Sequence, residues 1–366
     1  MKIRFFQIQF IYKHTDINIQ IYIYNINIII YNLYERLKMN LLCDDEVLYQ
    51  QQPRPDSDED IVALDDYDPN SRTFIGSGTY GNVSQVTIGG HVVAEKQYKS
   101  DECNSWELQQ FMKDEVRILL KVRPKTWERH HKNIVHYLGC DPRQYCLYFE
   151  VLEKTASAVY KDATSVLELN SFINCMVRDV SCGLKYLESR KIAHMDLKQD
   201  NIMRRSSGEF VLIDFGMAQV LDDEGQVKDR EWDMSPAGTY LYQSPEVLRM
   251  TIRHGRKEPP GNLFFTANQD VYSLGVLAYF FASGQTYWNG SVREKQGMEC
   301  LTHLLRTIEH RRRINFLKDM LALEEEKHIE AAGIIRQMLE PDHRERIYAC
   351  DVYERVLKLE HQKCVS

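Results

Sequence analysis

The sequence predicts an α+β fold in which a small β-rich region precedes a larger, mainly helical region. From residue 74 to about residue 152, apolar and polar residues alternate as in β-strands, around one amphipathic helical segment. From there to about residue 359 the spacing is mostly helical, without internal repeats or a long low-complexity break. The 366 residues, 43% of them hydrophobic, can bury a sizeable core.

A leader of about 70 residues precedes this periodic region and differs from it in composition. Residues 1–38 are dominated by Ile, Tyr, Asn, Phe and Lys, and Asn interrupts each apolar run before it could span a membrane. Two interpretations stay open: untranslated message read as protein, with Met39 as the start, or a genuine β-prone extension. Residues 44–68 are acidic and contain prolines, which predicts a flexible segment.

The net charge of -7 argues against a nucleic-acid-binding protein, because such proteins need clustered Lys and Arg. Nine cysteines are scattered singly, without a C-x-x-C pair. This pattern favours a reduced intracellular protein over a disulfide scaffold. We therefore expect a cytoplasmic location, with the nucleus as an alternative, and no nucleic-acid or membrane partner.

Residues 75–83, IGSGTYGNV, form the first candidate site. The glycine-rich pattern G-x-G-x-x-G-x-V is matched by Gly76, Gly78, Gly81 and Val83. Strand-like residues on both sides predict a hairpin whose backbone amides can approach a phosphate. A dinucleotide-binding fold would continue into a helix, whereas this chain continues as strand, turn at Gly89 and Gly90, and strand.

The strand after this hairpin contains VVAEK. Its period of two places Ala94 and Lys96 on one face and Glu95 on the other, so that Lys96 points back under the hairpin. A lone lysine on an edge strand is usually a solvated surface residue. The hairpin just upstream favours a functional role for Lys96 instead.

The helical segment of this region covers residues 106–122. One apolar face is expected to comprise Leu108, Phe111, Glu115 and either Ile118 or Leu119. An unpaired carboxylate on that face is costly, so we expect Glu115 to pair with Lys96. The nearby His130 and His131 are compatible with a metal site, but the strand-like residues after them favour His131 as a turn cap.

Residues 191–203, KIAHMDLKQDNIM, follow a helical run and precede the apolar strand run EFVLIDFGMA. Four polar residues of these two segments stand out, namely Asp196, Lys198, Asn201 and Asp214. They supply a base, a cation for phosphate and two oxygen ligands suited to Mg²⁺. Phosphoryl transfer needs this inventory, since it requires positioning and charge neutralisation rather than covalent chemistry.

The ordered set of motifs resembles the eukaryotic protein kinases of the serine/threonine type. The glycine hairpin, VAEK, the helix acid, HMDLKQDN, DFG, SPE and DVYSLGV follow one another between about Ser71 and Glu360. The resemblance implies the two-lobed protein kinase fold. It places a β-rich N-lobe with one helix at residues 71–152, a mainly helical C-lobe at 153–360 and a tail at 361–366.

The resemblance also implies roles for the polar residues. Asp196 orients the substrate hydroxyl and accepts its proton, and Lys198 steadies the γ-phosphate. Lys96, paired with Glu115, holds the α- and β-phosphates. The implied cofactors are ATP and Mg²⁺, and the implied partner is a protein substrate that carries Ser or Thr.

By the same resemblance Mg²⁺ is bound by Asn201 and Asp214. Phe149 is the gatekeeper, and the residues from Glu150 to Leu152 form the hinge to adenine. The complete implied ATP site comprises Ile75, Gly76, Ser77, Gly78, Thr79, Tyr80, Gly81, Val83, Ala94, Lys96, Phe149, Glu150 and Leu152.

Three further residues match the scaffold of the family rather than its chemistry. Glu246 and Arg346 match a buried structural ion pair, and Asp270 matches the acid that braces the catalytic loop. Lys198 and Thr239 are typical of the serine/threonine branch, because tyrosine kinases generally lack the lysine.

Met195 departs from the pattern of most regulated kinases, in which an arginine before the catalytic aspartate grips a phosphate on the activation loop. This loop, residues 217–240, offers only Ser235 as a hydroxyl upstream of Thr239. We therefore expect activity that does not depend on loop phosphorylation, with a grip by Arg204 or Arg178 as the alternative. A non-arginine residue here is similar to kinases of the NIK, Cot and Mos type, which act upstream in MAP-kinase or NF-κB pathways, and to the Wee type.

The sequence thus predicts an active kinase that transfers the γ-phosphoryl of ATP to protein hydroxyls. A pseudokinase scaffold that binds partners without catalysis is the alternative, and the filled catalytic positions argue against it. The substrate, the upstream regulator and the oligomeric state stay open.

Overall fold

The computed structural model describes residues 67–78, 81–99, 105–124, 130–141, 143–228, 240–258, 263–285, 287, 297–311 and 322–365. Residues 1–66, and with them both interpretations of residues 1–38, lie outside these ranges. The same holds for Thr79 and Tyr80 of the glycine hairpin and for Ser235 and Thr239 of the activation loop.

An antiparallel five-stranded sheet, in the order β1-β2-β3-β5-β4, forms the N-terminal part. Its strands are β1 (Tyr67–Gly78), β2 (Gly81–Ile88), β3 (His91–Tyr98), β4 (Tyr137–Asp141) and β5 (Cys146–Phe149). Gly89 and Gly90 connect β2 to β3, as predicted, and both have positive φ. A two-residue hairpin turn with positive φ at both positions strongly favours glycine.

Helix α1 (Ser105–Val122) follows β3. Its buried face includes Met112, Glu115, Val116 and Leu119, which recur at the spacing of an amphipathic helix. Phe111 was expected on this face, but its side chain is 40% exposed. The expectation was wrong for Phe111 because the centre of the buried face is rotated by about one residue, towards Met112.

A turn at residues 132–133 precedes β4. His131 Nδ1 accepts a hydrogen bond from the backbone N–H of Asn133 at 3.2 Å, as expected for a residue that caps the turn. The rings of His131 and Tyr186 stack at 4.4 Å. Within the described ranges, no group of three His, Cys, Asp or Glu side chains could hold a metal ion.

The C-terminal part is mainly helical. Its helices are α2 (Ala156–Asp162), α3 (Val166–Ser189), α4 (Pro245–Gly255), α5 (Asn268–Ser283), α6 (Gly297–Arg311), α7 (Ala332–Met338) and α8 (Ala349–Val365). Helix α3 packs against α8 and α5. It begins with a capping box, in which Ser165 Oγ accepts from the backbone N–H of Glu168 and the Glu168 carboxylate accepts from that of Ser165.

Short strand pairs tie the loops of this part together. They are β6 (Lys154–Thr155), β7 (Ile192–Ala193), β8 (Ile202–Arg204), β9 (Phe210–Leu212), β10 (Gln219–Val220), β11 (Gln226–Lys228) and β12 (Phe264–Thr266). Strands β6, β8 and β9 form one sheet, β7 pairs with β10, and β11 pairs with β12. The last two pairs attach the activation loop to the rest of the C-terminal part.

This architecture confirms the predicted α+β fold, with a sheet-rich first part and a helical second part. The expected boundaries at residues 70 and 360 both fall inside elements, β1 and α8. Among the residues that the structure describes, no helix is both long and apolar enough to cross a membrane.

Candidate active site

Lys96 lies at the centre of a buried set of charges. Its Nζ is 2.7 Å from Glu115 Oε2 and 2.7 Å from Asp214 Oδ1. Burial by itself lowers the pKa of Lys96, but the two carboxylates outweigh this effect and raise the pKa above its usual value. The ammonium group therefore stays charged, and it joins β3, α1 and the DFG segment.

Asp214 adopts the left-handed backbone conformation, with φ of 62°. Aspartate tolerates this region better than most residues, and the conformation is a common one at functional sites. Burial raises the pKa of Asp214, but Lys96 and the more distant His194 and Lys198 hold it below its usual value. The carboxylate is therefore anionic at neutral pH.

The catalytic-loop residues form a second cluster around Asp196. Lys198 Nζ donates to Asp196 Oδ2 at 2.6 Å. Asn201 Nδ2 donates to the Asp196 backbone oxygen at 2.8 Å and to Oδ2 at 2.9 Å. The backbone N–H of Ile213 donates to the Asn201 backbone oxygen at 3.1 Å, which connects this cluster to the segment that carries Asp214.

Asp270, near the start of α5, holds the backbone of the catalytic loop by hydrogen bonds. Its two carboxylate oxygens accept from the backbone N–H groups of His194 at 2.6 Å and Met195 at 2.9 Å. Asp270 is fully buried, and burial raises its pKa, although these N–H groups oppose the shift. The contacts fix the loop at the residues just before Asp196.

Met195 itself is 7% exposed and has a φ of 67°. Its side chain belongs to an apolar cluster that joins the catalytic loop, the activation loop, α4 and β12. The buried members of this Met195 cluster are Ala193, Met195, Leu221, Val227, Val247, Met250, Phe265 and Ala267. Position 195, where most regulated kinases have an arginine, is thus part of a packed apolar core in this chain.

The glycine hairpin is described except for its tip. Gly78 pairs with Gly81 and Gly76 with Val83 across β1 and β2. A Cβ atom at Gly81 would clash with the backbone oxygen of Gln97 on β3. Gly81 is therefore required by the close approach of β3, a reason that the sequence pattern alone did not supply.

The adenine end of the expected site begins at Phe149, which lies opposite Ala94 across the β3–β5 pair. The side chain of Glu150 does not extend freely into the cleft. Arg205 binds it with two hydrogen bonds, Nε to Oε2 at 2.8 Å and a terminal nitrogen to Oε1 at 2.6 Å. Arg205 also donates to the backbone oxygens of Lys132 and Ile134. The backbone N–H of Glu150 donates to the His136 backbone oxygen at 3.0 Å, so Glu150 can offer only its backbone carbonyl oxygen to a nucleotide.

A buried ion pair lies further down in the helical part. Arg346 donates to Glu246 Oε1 at 2.8 Å and Oε2 at 3.1 Å. Burial raises the pKa of Glu246, but Arg346 outweighs burial and holds the pKa below its usual value. Glu246 and Arg346 thus form the buried ion pair that was expected from the resemblance.

The family of this chain follows from its similarity to known proteins. The protein kinase domain model matches residues 70–357. This chain belongs to the protein kinase family. The kinase domain is also similar to a mitogen-activated protein kinase kinase kinase 1b of Physcomitrium patens, 30% identical over 217 residues, which cover 58% of this chain and 25% of that protein.

Other relatives belong to the same broad class of serine/threonine kinases. A probable serine/threonine-protein kinase of Dictyostelium discoideum is 33% identical over 202 residues, covering 54% of this chain and 38% of the relative. Mitogen-activated protein kinase kinase kinase 5 of Arabidopsis thaliana is 26% identical over 238 residues, covering 62% and 31%. The matched part of this kinase thus spans well under two thirds of the length of these relatives.

The kinase domain fits the Mg²⁺ ion that the family uses. Asn201 directs its amide nitrogen to Asp196, which leaves its amide oxygen on the other side of the group. Together with the anionic Asp214, this oxygen would give Mg²⁺ two protein ligands. Two protein ligands are enough, since Mg²⁺ takes its remaining ligands from substrate phosphates and water.

Sequence reasoning missed three features of this kinase domain. Glu95 is fully buried on the second face of the sheet, where burial raises its pKa and Arg72 opposes the shift. The strand period placed Glu95 on that face, but nothing in the sequence indicated that the face is covered. Tyr98 contacts Glu115 and could have been found by the same period, because it lies two residues after Lys96. The contact of Arg205 with the hinge left no signal in the sequence.

Proposed function

We propose that this protein kinase is catalytically active and transfers the γ-phosphoryl of ATP to Ser or Thr hydroxyls of proteins. The observation that carries the proposal is the contact of Lys96 with both Glu115 and Asp214. It connects the helix acid, the strand lysine and the metal-binding acid in one set of charges. A pseudokinase scaffold would not need these three groups together.

Each group has a part in the transfer. Lys96 offers a fixed positive charge to the α- and β-phosphates, and Glu115 keeps it in place. Asp196 accepts the proton of the substrate hydroxyl, and its carboxylate is oriented by Lys198 and Asn201. Mg²⁺ bound by Asn201 and Asp214 would neutralise charge on the phosphates. Lys198 supplies a further cation for the group in transfer.

The test is Asp196→Ala, measured as phosphate transfer to a generic protein substrate. We expect turnover to fall by about 10² to 10⁴, the range for loss of a positioned acid or base, while ATP still binds. Asp162→Asn is the control, since Asp162 is an exposed carboxylate that pairs only with Lys154 in the described structure. Turnover of Asp196→Ala within twofold of the parent would refute the role of Asp196, and an inactive parent would favour the scaffold.

We further propose that activity does not require a phosphate on the activation loop. The Met195 cluster supports this proposal, because it packs Leu221 and Val227 of the activation loop against α4 and β12 without any charge. The β11–β12 pair, with Val227 opposite Phe265, attaches the same stretch by backbone hydrogen bonds. Apolar packing and backbone hydrogen bonds do not depend on an added charge.

The two alternative arginines have other partners. Arg178 donates to Asp179 at 2.9 Å and makes two hydrogen bonds to Glu360 on α8. Arg204 is on β8, 3.9 Å from Glu153. Lys191, next to β7, donates to Asp223 at 2.6 Å. The hydrogen bonds of Arg178 argue against a phosphate grip by this residue, whereas the side chain of Arg204 has, among the described residues, only its 3.9 Å contact with Glu153.

Phosphatase-treated enzyme and Ser235→Ala should therefore each retain most of the parent's kcat. Ser235 is the residue to replace because it is the hydroxyl upstream of Thr239 in the loop. Mass spectrometry of the treated protein verifies that the loop carries no phosphate. Loss of most activity in both preparations would show that the loop needs phosphorylation.

For the substrate we propose a protein kinase of a MAP-kinase cascade. The similarity to the two mitogen-activated protein kinase kinase kinases supports this proposal, as does the non-arginine residue at Met195. The scattered single cysteines support an intracellular location. Phosphorylation of a MAP kinase kinase, compared with casein at equal concentration, tests the substrate class. Equal rates on both substrates would contradict it.

A further inference from the structure

Tyr98 lies on the same face of β3 as Lys96 and is 3% exposed. Its hydroxyl donates a hydrogen bond to Glu115 Oε2. The same carboxylate oxygen accepts from Lys96 Nζ at 2.7 Å. One oxygen atom of the helix acid is therefore held by two donors, both from β3.

The other oxygen of this carboxylate contributes little to its position. Glu115 Oε1 is buried and has no hydrogen-bond partner within the described part of the chain. Lys96 is also shared with Asp214, so it cannot by itself keep Glu115 in one orientation. The Tyr98 hydroxyl is the donor that holds Glu115 independently of where Lys96 points.

Neighbouring backbone fixes the main chain at Tyr98. The Tyr98 N–H donates to the Tyr145 backbone oxygen at 2.9 Å, and Gly81 approaches so closely that a Cβ there would come within 3.0 Å of the Tyr98 Cα. Lys96 Nζ is 5.2 Å from the ring centroid, within the range of a cation–π contact. Burial and the nearby Glu115 both raise the pKa of Tyr98, so the phenol keeps the proton it donates.

We infer that Tyr98 is a positioning residue for phosphoryl transfer, whose hydroxyl keeps Glu115 aligned with Lys96. This inference rests on the proposed kinase activity. Because Glu115 Oε1 has no hydrogen-bond partner within the described residues, a bond from Lys96 alone would let the carboxylate turn. The Tyr98 hydroxyl holds the same Oε2 atom from a second direction, so that the Lys96–Glu115 pair stays in place when ATP binds.

The experiment compares Tyr98→Phe with a matched control, Tyr186→Phe. Tyr186 on α3 donates its hydroxyl to the backbone oxygen of Val122, at the end of the same helix α1 that carries Glu115. Both variants remove one hydroxyl bond to α1, and only the first touches Glu115. We expect both variants to fold, with the larger decrease in melting temperature for Tyr98→Phe because its hydroxyl donates to a charged group.

Kinase activity should distinguish the two variants. A hydrogen bond to a charged group is worth more than a neutral one, so Tyr98→Phe should lower kcat/KM for ATP roughly 10-fold. Tyr186→Phe should stay within twofold of the parent. Tyr98→Phe within twofold of the parent, or an equal loss in both variants, would overturn the inference.

A double-mutant cycle with Glu115→Gln distinguishes the hydrogen bond from packing of the ring. In the Glu115→Gln background, Tyr98→Phe should change kcat/KM less than twofold, because the charge that strengthened the bond is gone. An undiminished 10-fold effect would assign Tyr98 to packing and overturn the inference. The same cycle on ATP dissociation constants, measured by calorimetry, gives the answer even if the parent transfers no phosphate. A parent that transfers no phosphate would refute the proposed function, and the cycle on ATP dissociation constants would then still decide whether the Tyr98 hydroxyl acts through Glu115.

Discussion

Arg346→Met tests how strongly the helical part of the kinase domain depends on one buried charge. The guanidinium is 0% exposed and makes two hydrogen bonds to Glu246 on α4. It also donates to the backbone oxygens of Glu340 at 2.8 Å and Asn268 at 3.1 Å. Arg346 therefore links α4, the start of α5 and the segment between α7 and α8.

The magnitude follows from what the substitution leaves behind. Methionine keeps an unbranched apolar stem in place of the aliphatic part of the arginine side chain, so the loss of apolar packing is small. Glu246 stays buried without its cation, and the backbone oxygens of Glu340, Asn268 and Pro341 lose a donor. Removing one partner of a buried ion pair costs about 3–5 kcal/mol of unfolding free energy. At a urea slope of about 3 kcal/mol per M, this lowers the unfolding midpoint by about 1–2 M.

Urea unfolding followed by circular dichroism at pH 7 measures this shift. The control is Arg344→Met, because Arg344 also forms an ion pair, 2.7 Å from Asp342, but its side chain is 76% exposed. Solvent screens that pair, and we expect the control to unfold at the midpoint of the parent. Equal midpoints for the two variants would refute the reasoning.

The pH dependence gives an independent check. Arg346 holds the pKa of Glu246 below its usual value in the folded state. The stability that this pair contributes is thus present above the usual carboxyl pKa of about 4.5 and is lost as pH falls through the folded-state pKa. The difference between parent and Arg346→Met should shrink from pH 7 to pH 4. The two proteins differ at one site, so the contributions of their other carboxylates cancel in the comparison. A difference in unfolding free energy that grows in acid would contradict the attribution of this difference to the Arg346–Glu246 pair.

Three further outcomes follow from the contacts. Lys96→Met and Glu115→Ala remove the same 2.7 Å contact, so their effects on kcat/KM should be far from additive, and strict additivity would refute the pairing. Met195→Arg places a cation among apolar side chains and should cost about 3 kcal/mol in urea unfolding, against less than about 1.5 kcal/mol for Met195→Leu. Arg205→Ala leaves Glu150 without its two hydrogen bonds and should lower the unfolding free energy by about 1.5–3 kcal/mol, a loss that an unchanged midpoint would exclude.

The contact of Lys96 with Glu115 could be predicted from local rules. The period of two in β3 placed Lys96 under the glycine hairpin, and the cost of an unpaired carboxylate on α1 selected Glu115 as its partner. The cluster at Asp196 and Asn201 was visible because its members are close in sequence. The α+β fold followed from the change of period along the chain.

Other features depend on contacts that no local rule supplies. Phe111 was placed on the wrong face because a helix pattern fixes the buried face only to within about one residue. Arg205 reaches Glu150 from 55 positions away in the chain, through a long side chain with many possible partners. The β11–β12 pair joins two short segments whose sequences show no strong strand pattern.

Met195 shows how the two kinds of information combine. The sequence has methionine at position 195, where an arginine was expected. In the structure this methionine is buried in the apolar Met195 cluster. A methionine at φ of 67° carries a backbone cost of about 1–2 kcal/mol, which the bond from its N–H to Asp270 and the burial of its side chain offset. Apolar packing among Met195, Leu221 and Val227 needs no added charge. Apolar packing of this kind forms when the chain folds, whereas an arginine at this position would have a partner only after the loop is phosphorylated.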